Sequence, residues 1–558
     1  MTAAPPSSPS WLGRSPAFWH TVACVTLAVL TTATFVNALN DQFVSYDDWF
    51  LVEENTRIRS LSLDSLSTML LYRSPQGAWQ PFREFSYALD YACWGLDPFG
   101  YHLSNLALHT ANVLLVYALA VWLLRRQPLA WLAAAAFAVH PVQVEAVTWV
   151  AGRRDVLYAF FFLLSFLAFV RSERRYREGR PWSWAYAASL ACLLVALLSK
   201  PSAMMLPALL VLAVVLVEEG RDPLWQRLLV IAPHGTIAAA IAGIQYWSAS
   251  EAKVVKSRVI GEQLASMPWT FAMYWKLLFL PVHLATPHSR VPLTWDSDAK
   301  VILLSLAVWV GVTLVLWKAA PRRTIALFCL GWWYVMLLPV SNLVPLSMLV
   351  AERYMYMPIV GLCILGADIA GSLWRRRRRA PIALCVGAIL ALLAVQTHVR
   401  NRIWYDGKSF WRDGITKWPD SPVTRIGLAA SHLDTNEPML AWKQYQKIID
   451  PRGMAHSKNS EHTSLVNAGL TECYDRVARH YEREGQVDKA LEVYETVVRQ
   501  MPQRIEPRID LAQAYQRHGR RGKAVEQLEA IRKLRGGYDG LPKALLEILS
   551  GTDADTDR

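Results

Sequence analysis

Charged residues are scarce in this sequence, since they make up 18% of its 558 positions against roughly 25% in soluble domains. Five of the seven cysteines lie inside apolar runs, which makes a disulfide framework unfavourable. The sequence has no Walker or dinucleotide-binding glycine loop and no Cys or His pair at zinc spacing. These absences exclude a cytosolic globular enzyme and a secreted disulfide scaffold, and they leave a nucleotide-sugar or ATP-driven mechanism without support.

Apolar runs are what the sequence has in abundance. A helix needs about 20 mostly apolar residues to cross a bilayer, and such runs fill residues 20 to 398. The predicted spans are 20–39, 103–124, 129–147, 155–171, 182–199, 203–218, 228–246, 300–318, 323–340, 355–374 and 380–398. A further apolar segment, 267–284, is predicted to form a re-entrant or interfacial helix on the outer face.

Lys and Arg concentrate in alternate loops between these spans. Arg125, Arg126, Arg174 and Arg175 are examples, as is the arginine run 375–379. The positive-inside rule assigns such loops to the cytoplasm. The formal charge of +13 therefore describes topology and is no evidence for nucleic acid. With eleven spans, the amino terminus is cytoplasmic and the last domain emerges on the opposite side of a cell inner (plasma) membrane.

A repeat follows the membrane segments. Three residues recur after 34 positions, the first copy being Tyr481, Gly485 and Ala490 and the second Tyr515, Gly519 and Ala524. This is the tetratricopeptide period, in which stacked helical hairpins form a concave surface for a peptide or protein. The predicted domains are an amino-terminal tail 1–19, a membrane domain 20–398 with its first outer loop at 40–102, a linker 399–417, repeats 418–540 and a tail 541–558.

Ionisable residues interrupt the apolar pattern in loops predicted to face outward, where such groups are costly and tend to mark function. Adjacent carboxylates, Asp47 and Asp48, are predicted to supply a general base that takes a proton from an acceptor hydroxyl. Basic residues are predicted to clamp a departing phosphate, and they are Arg153, Arg154, Lys200 and Arg353. A base opposite a phosphate clamp at a membrane surface suits sugar transfer from a polyprenyl-phosphate donor.

Further polar residues on this face are candidates for substrate binding. They are His102, His109, His140, Glu145, Glu352 and Trp79. Structural roles stay open for several candidates. Asp47 and Asp48 could cap a short loop helix, Asp155 could be the N-cap of the fourth span, Glu352 and Arg353 could pair with each other, and the histidines of the second span could make interhelical hydrogen bonds.

Seven stretches resemble one family in order along the chain. They are YDDWFLVEEN (46–55), YHLSNLALH (101–109), HPVQVEAVTWVAGRRDVL (140–157), LSKPSAMMLP (198–207), YWKLLFLPVHLA (274–285), AERYMYMP (351–358) and RNRIWYDGKSFW (400–411). With them, the chain resembles the transmembrane and tetratricopeptide-repeat proteins of the GT-C glycosyltransferase superfamily, which are relatives of the protein O-mannosyltransferases.

The resemblance implies an all-α fold, with a polytopic GT-C-type helix bundle followed by tetratricopeptide-like repeats. It also implies an inverting transfer with the donor bound from the outer leaflet, Asp47 as the base, and Arg153, Arg154 and Lys200 near the lipid phosphate. One stretch departs from the family pattern, because Tyr-Arg-Pro-Leu appears here as WQPFREF (79–85) with its arginine at Arg83.

The leading hypothesis is a transferase that moves one sugar, with mannose favoured, from a polyprenyl-phosphate carrier to a Ser or Thr hydroxyl of an exported protein that the repeats present. One alternative keeps the fold and makes the acceptor a lipid or a cell-envelope glycan. Another is a non-catalytic membrane scaffold. No metal site is predicted, although the acidic pair with further ligands leaves a divalent ion open.

Overall fold

The computed structural model describes residues 15–74, 78–178, 184–217, 223–251, 260–285, 293–343, 348–376, 379–419, 421–449 and 473–535. Three predicted segments lie wholly or partly outside these ranges. They are the amino-terminal tail, residues 451–472 within the predicted repeat domain, and the carboxy-terminal tail. The chain divides into two compact units, Met1–Ser409 and Phe410–Arg558. Over the described residues both units are helical, which confirms the predicted all-α architecture.

The α-helices of the first unit contain most of its apolar residues. They are α1 (Pro16–Phe35), α2 (Leu63–Leu71), α3 (Pro81–Trp94), α4 (Pro98–Leu124), α5 (Gln127–Val139), α6 (Val144–Val147), α7 (Arg153–Arg177), α8 (Trp184–Ser199), α9 (Leu206–Leu212), α10 (Leu224–Leu229), α11 (Ala232–Glu251), α12 (Ile260–Phe279), α13 (Trp295–Ala319), α14 (Arg323–Leu337), α15 (Pro358–Arg376) and α16 (Arg379–Asn401). Helix α17 (Gly407–Lys417) crosses the boundary between the units.

Short 3₁₀ and π segments connect or extend these helices. They are Val36–Asn40, Trp49–Glu53, Thr56–Arg59, Pro141–Gln143, Val150–Gly152, Pro201–Met205, Ala213–Val217, Leu338–Val340, Glu352–Met355 and Arg402–Trp404.

All eleven predicted spans coincide with helices. Among the residues that the structure describes, eight helical stretches are long and apolar enough to cross a membrane, and α5 with its continuation Pro141–Val147 makes up to nine if this pair, bent by 54°, is one span. The stretches Trp184–Ser199 and Pro201–Val217 are apolar but shorter. The chain is therefore a multi-pass membrane protein, while the count of eleven stays a prediction.

The segment predicted as re-entrant or interfacial, 267–284, falls on α12 and the turn after it. Helix α12 packs beside α13, where Phe271 stacks on Trp309 with ring centroids 4.5 Å apart. It also contacts α14, where Trp275 stacks on Trp333 at 4.7 Å. Aromatic stacking of this kind adds about 0.5–1.5 kcal/mol per pair beyond area burial. Whether α12 is re-entrant or interfacial stays a prediction.

Helical hairpins form the second unit. Its helices are α18 (Pro422–Asp434), α19 (Pro438–Ile449), α20 (described over 473–483), α21 (Val487–Gln500), α22 (Glu506–Arg517) and α23 (Arg521–Arg535). The repeated alanines Ala490 and Ala524 are fully buried, and Tyr515 is nearly so. Small residues at these positions let the paired helices approach closely, as the 34-residue pattern predicted.

The hairpin turns share one backbone geometry. Gly485 and Gly519 have φ of 73° and 69°, and Asn436 occupies the same place in the preceding hairpin with φ of 57°. In each turn the next residue donates its N–H to the carbonyl five positions earlier, at 2.7–2.9 Å. This left-handed helix ending favours glycine and tolerates asparagine. The turn geometry therefore relates α18–α19 to the two hairpins that follow it.

Candidate active site

Two helix breaks before proline lie at candidate site residues. A residue that precedes proline is pushed from the helical to the extended region, and both His140 (ψ 129°) and Lys200 (ψ 136°) are extended before Pro141 and Pro201. The first break starts the bend between α5 and α6. The sequence thus interrupts two apolar stretches at the points where the candidate residues begin.

The two adjacent carboxylates of the first outer loop have different surroundings. Asp48 is fully buried, and its oxygens accept hydrogen bonds from the backbone amides of Val44 (3.0 Å) and Ala151 (2.9 Å). Asp47 is half-buried, and its carboxylate makes no hydrogen bond or ion pair with the part of the chain that is described. Asp48 precedes the π segment Trp49–Glu53, yet its side chain does not cap that segment, so the capping interpretation is wrong for Asp48.

Three guanidinium groups act on the Asp47 carboxylate through their charge. Burial raises the pKa of Asp47, and the charges of Arg154, Arg353 and Arg83 oppose that rise. Burial also raises the pKa of Asp48 to about 8, against the two amide hydrogen bonds that favour its charged form. Asp47 is therefore the carboxylate that combines partial access with stabilisation by cations, which is the environment that a general base requires.

Arg153 and Arg154 are neighbours in sequence with opposite environments. The Arg153 side chain is 2% exposed and donates to Asp90 at 2.6 Å, to the carbonyl of Tyr101 at 2.8 Å and to the side-chain oxygen of Asn105. The Arg154 side chain is 23% exposed, and its nearest carboxylate, Asp155, is 3.7 Å from Nε. The structure therefore commits Arg153 to a buried network and leaves Arg154 partly exposed, with its charge acting on Asp47.

Lys200 joins the same group of charges. Its ammonium pairs with Asp155 and lies 5.2 Å and 5.6 Å from the ring centroids of Tyr158 and Tyr354. Burial lowers the pKa of Lys200, Asp155 opposes the shift, and the charges of Arg154 and Arg353 add to it. Asp155 is the third residue of α7 and not its N-cap, which is Gly152, so that interpretation was wrong.

Arg353 is held by Glu145 across 208 positions. The Glu145 carboxylate pairs with the guanidinium and accepts the backbone N–H of Arg353 at 2.8 Å. The guanidinium also lies 5.4 Å from the ring centroid of Trp149. Arg353 keeps a buried Nε that has no hydrogen-bond partner among the described residues. Its position is therefore fixed while part of its donor capacity remains available.

Glu352 and Arg353 do not pair with each other. Glu352 is fully buried and accepts two hydrogen bonds from Arg400, at 2.9 Å and 3.0 Å. The interpretation of these two neighbours as a mutual ion pair is therefore wrong, because each one reaches a different partner far along the chain.

The histidine candidates are buried in the helix bundle. His109 contacts the Tyr356 hydroxyl at 2.8 Å and the carbonyl of Ala138 at 3.3 Å. His140 donates from Nε2 to the carbonyl of Leu278 at 3.0 Å. The contacts of His109 agree with the structural alternative of interhelical hydrogen bonds for the second span. His102 is buried on α4 as well.

Trp79 lies in the first outer loop, where its indole N–H donates to the carbonyl of Leu70 at 2.7 Å. Its ring is half-buried. The hydrogen bond fixes the indole to the loop, and its role as a sugar-stacking surface stays a prediction.

Helix α3 supplies site residues that the sequence analysis overlooked. Arg83, Glu84 and Asp90 are buried on it, and Glu84 accepts from Asn55 at 2.8 Å. Their spacing places a polar stripe on one face of the helix, and apolar periodicity does not reveal such a stripe. The displaced arginine in WQPFREF was the available signal for Arg83. Among the described residues, no three His, Cys, Asp or Glu side chains lie together in a metal-binding group.

Comparison with known families supports this architecture. The family model for dolichyl-phosphate-mannose-protein mannosyltransferase matches residues 63–285, and a tetratricopeptide-repeat model matches 482–546. The membrane segments are thus similar to a family of protein mannosyltransferases, and the second unit carries tetratricopeptide repeats. Together these matches support a TMTC-like protein.

Two relatives from Drosophila melanogaster illustrate the similarity. Protein O-mannosyl-transferase Tmtc3 is 28% identical over 416 residues, which cover 61% of this chain and 44% of the relative. Protein O-mannosyl-transferase Tmtc1 is 24% identical over 526 residues, covering 72% and 59%. The chain thus spans about half the length of these curated relatives.

A solved structure from Archaeoglobus fulgidus, an oligosaccharyltransferase tethered with an acceptor peptide, is 15% identical and covers 74% of this chain and 58% of its own, with a TM-score of 0.42.

Proposed function

We propose that this protein is an inverting glycosyltransferase that moves one sugar, mannose, from a polyprenyl monophosphate to a Ser or Thr hydroxyl of an exported protein. The reaction takes place at the outer face of a cell inner membrane, with the repeats on the same side. The observation that carries the proposal is the half-buried Asp47 carboxylate, which has no hydrogen-bond partner among the described residues and interacts electrostatically with Arg154, Arg353 and Arg83.

The chemistry assigns complementary tasks to these groups. Asp47 takes the proton of the acceptor hydroxyl as its oxygen attacks C1 of the sugar. The bond from C1 to the carrier's phosphate oxygen breaks, and that oxygen leaves with the electron pair as polyprenyl phosphate. Attack opposite the leaving group inverts C1. Arg154 and Arg353, with Lys200 beside them, stabilise the departing phosphate.

Arg153 is left out of the phosphate clamp. Its donors are already used by Asp90, Asn105 and the carbonyl of Tyr101, so binding a phosphate would leave buried groups unpaired. Its task in this proposal is to hold the start of α7 against α3 and α4, which fixes the direction in which Arg154 leaves the helix.

The deciding experiment is an assay of the purified full chain with polyprenyl-phosphate-mannose and exported Ser/Thr-rich acceptor proteins. Asp47→Asn should lower turnover by about 10²–10⁴-fold, the usual contribution of a general base, without loss of folded protein. Asp64→Asn, an exposed carboxylate in the same loop, is the matched control and should be fully active. Full transfer by Asp47→Asn would contradict the assignment of the base.

A truncated chain that lacks residues 418–558 tests the acceptor. A protein acceptor presented by the repeats should lose most of its modification. Near-normal modification of a glycolipid by the truncated chain would instead support the lipid or cell-envelope acceptor. Loss of function only on changes in the repeats, with the charged outer face dispensable, would support the scaffold.

A further inference from the structure

We propose that Asp48 is a positioning residue whose carboxylate ties the first outer loop to the turn that precedes Arg154, and so fixes where Asp47 lies relative to that guanidinium. The catalytic consequence of this tie rests on the proposed function. The structural consequence does not, so the two can be tested separately.

The tie consists of two hydrogen bonds to backbone amides. One Asp48 oxygen accepts the N–H of Val44 at 3.0 Å, and the other accepts the N–H of Ala151 at 2.9 Å, 103 positions away. Both bonds are buried, and Asp48 is 0% exposed. If this carboxylate lost either bond, a buried amide N–H would be left without an acceptor, which is costly.

The turn that receives the tie is held rigidly from its other side. Tyr87 of α3 donates to the carbonyl of Val150 at 3.1 Å, and Asn105 of α4 donates to that of Trp149 at 2.9 Å. Gly152 is packed so closely that a Cβ atom there would lie 2.7 Å from the carbonyl oxygens of Glu145 and Ala146. The Ala151 amide is therefore a fixed point, three residues before Arg154.

The same contacts make Asp48 unsuitable as the base. Both of its oxygens are occupied and none of its surface is accessible, whereas an acceptor hydroxyl must come within hydrogen-bond distance of the base. Asp47, the next residue back, is held in place by the tie and keeps its carboxylate available. The pair thus divides into one residue that reacts and one that orients it.

The test compares Asp48→Asn, Asp48→Ala and Asp47→Asn in the full chain in lipid nanodiscs, with Asp64→Asn as the control. Hydrogen exchange measured by mass spectrometry should accelerate in peptides containing Val44 and Ala151 for Asp48→Ala, and less for Asp48→Asn, which keeps one acceptor oxygen. Asp47→Asn should leave exchange unchanged in both peptides.

Transfer activity should follow the same order. Since a misplacement of about 1 Å can cost on the order of 100-fold in rate, kcat should fall about 10-fold in Asp48→Asn and about 100-fold in Asp48→Ala. The residual activity of Asp48→Asn should keep the acid limb of the pH profile, because Asp47 still titrates.

Unchanged exchange at Val44 and Ala151 in Asp48→Ala would overturn the tie, whatever the protein catalyses. Equal inactivity of Asp48→Asn and Asp47→Asn, with the acid limb lost in both, would make Asp48 a base and also overturn the proposal. If the wild-type chain transfers no sugar, the proposed function fails while the exchange data still decide the tie.

Discussion

Charged residues have opposite environments in the membrane unit (Met1–Ser409) and in the repeat unit (Phe410–Arg558). In the membrane unit, Asp48, Glu145, Asp155 and Glu352 are each 0% exposed, and each has a specific partner. In the repeats, pairs such as Arg520–Asp488 leave the carboxylate 86% exposed. Breaking a buried pair costs about 3–5 kcal/mol, whereas an exposed pair contributes about 0–1 kcal/mol.

This contrast means that a charged residue is interpreted differently in the two units. A buried ion pair is a weak way to gain stability, because desolvation offsets most of the attraction. Under the proposed function, the buried pairs of the membrane unit place the reactive groups. The exposed pairs of the repeats need no such explanation, since they lie on surfaces that water already solvates.

Two adjacent arginines provide the strongest test of the contrast. Arg153→Met should lower the free energy of unfolding by about 3–5 kcal/mol, because it leaves Asp90 buried without its cation. Arg154→Met is the matched control and should change stability little while it removes transfer activity. Denaturant unfolding in detergent measures both, and equal destabilisation would show that the two environments do not differ as described.

A buried carboxyl at the start of the first outer loop predicts a pH effect. Burial, helped by the nearby Asp406 charge, raises the pKa of Asp41 from 3.8 to about 8. A raised pKa stabilises the native state fully below about pH 4, and this stabilisation is lost as pH rises toward 8, by up to about 1.4 kcal/mol per pH unit. Thermal unfolding should therefore move to lower temperature over this window.

Asp41→Asn should reduce that dependence and raise the unfolding temperature at pH 8, while the contribution of the buried Asp48, whose pKa is also raised to about 8, remains. Asp64→Asn, whose carboxylate is exposed, is the control and should leave the slope as it is in the wild type. An unchanged slope in Asp41→Asn would assign the pH effect to another group.

Close packing in the repeat unit predicts a smaller effect. A Cβ atom on Gly427 would lie 2.1 Å from the Trp411 ring, and overpacking of this kind costs about 1–3 kcal/mol. Gly427→Ala should therefore destabilise the repeats. Gly522→Ala, with no atom within 4 Å of the new Cβ, should be neutral or slightly stabilising in its helix. Unfolding followed by circular dichroism compares them, and similar shifts in both variants would contradict the packing argument.

The smallest effect is expected at an exposed ion pair. Asp488→Asn removes the partner of Arg520 and should change the free energy of unfolding by less than about 1 kcal/mol. The same unfolding measurement applies, with the Gly427→Ala variant as a reference for a real loss. A shift as large as that of Arg153→Met would remove the distinction between the two units.

Much of the architecture was predictable because it depends on local patterns. Each predicted span coincides with a helix, since hydropathy over about 20 residues measures compatibility with a bilayer. The breaks at His140 and Lys200 follow from the proline after each. The equivalence of Asn436 to the repeat glycines was not predicted, because the repeat pattern is defined by glycine at this position. The turn itself requires only a positive φ, which asparagine also adopts.

The sequence predicted the residue types of the candidate site but not the partner that each residue contacts. Asp47 and Lys200 each interact electrostatically with Arg154 and Arg353, and that these four residues form one site stays a prediction. Arg153, by contrast, is committed elsewhere, and the polar stripe of α3 was overlooked. Glu352 and Arg353 illustrate the reason, because their partners Arg400 and Glu145 are 48 and 208 positions away. Neither distance can be read from spacing.

The sequence by itself determined the membrane segments, the repeat period and the types of residue at the outer face, because hydropathy, proline and glycine act within a few residues. Only the tertiary structure decided which of two neighbouring carboxylates is held by amides and which of two neighbouring arginines is available. Adjacent residues point in different directions, and long-range packing sets what each one meets.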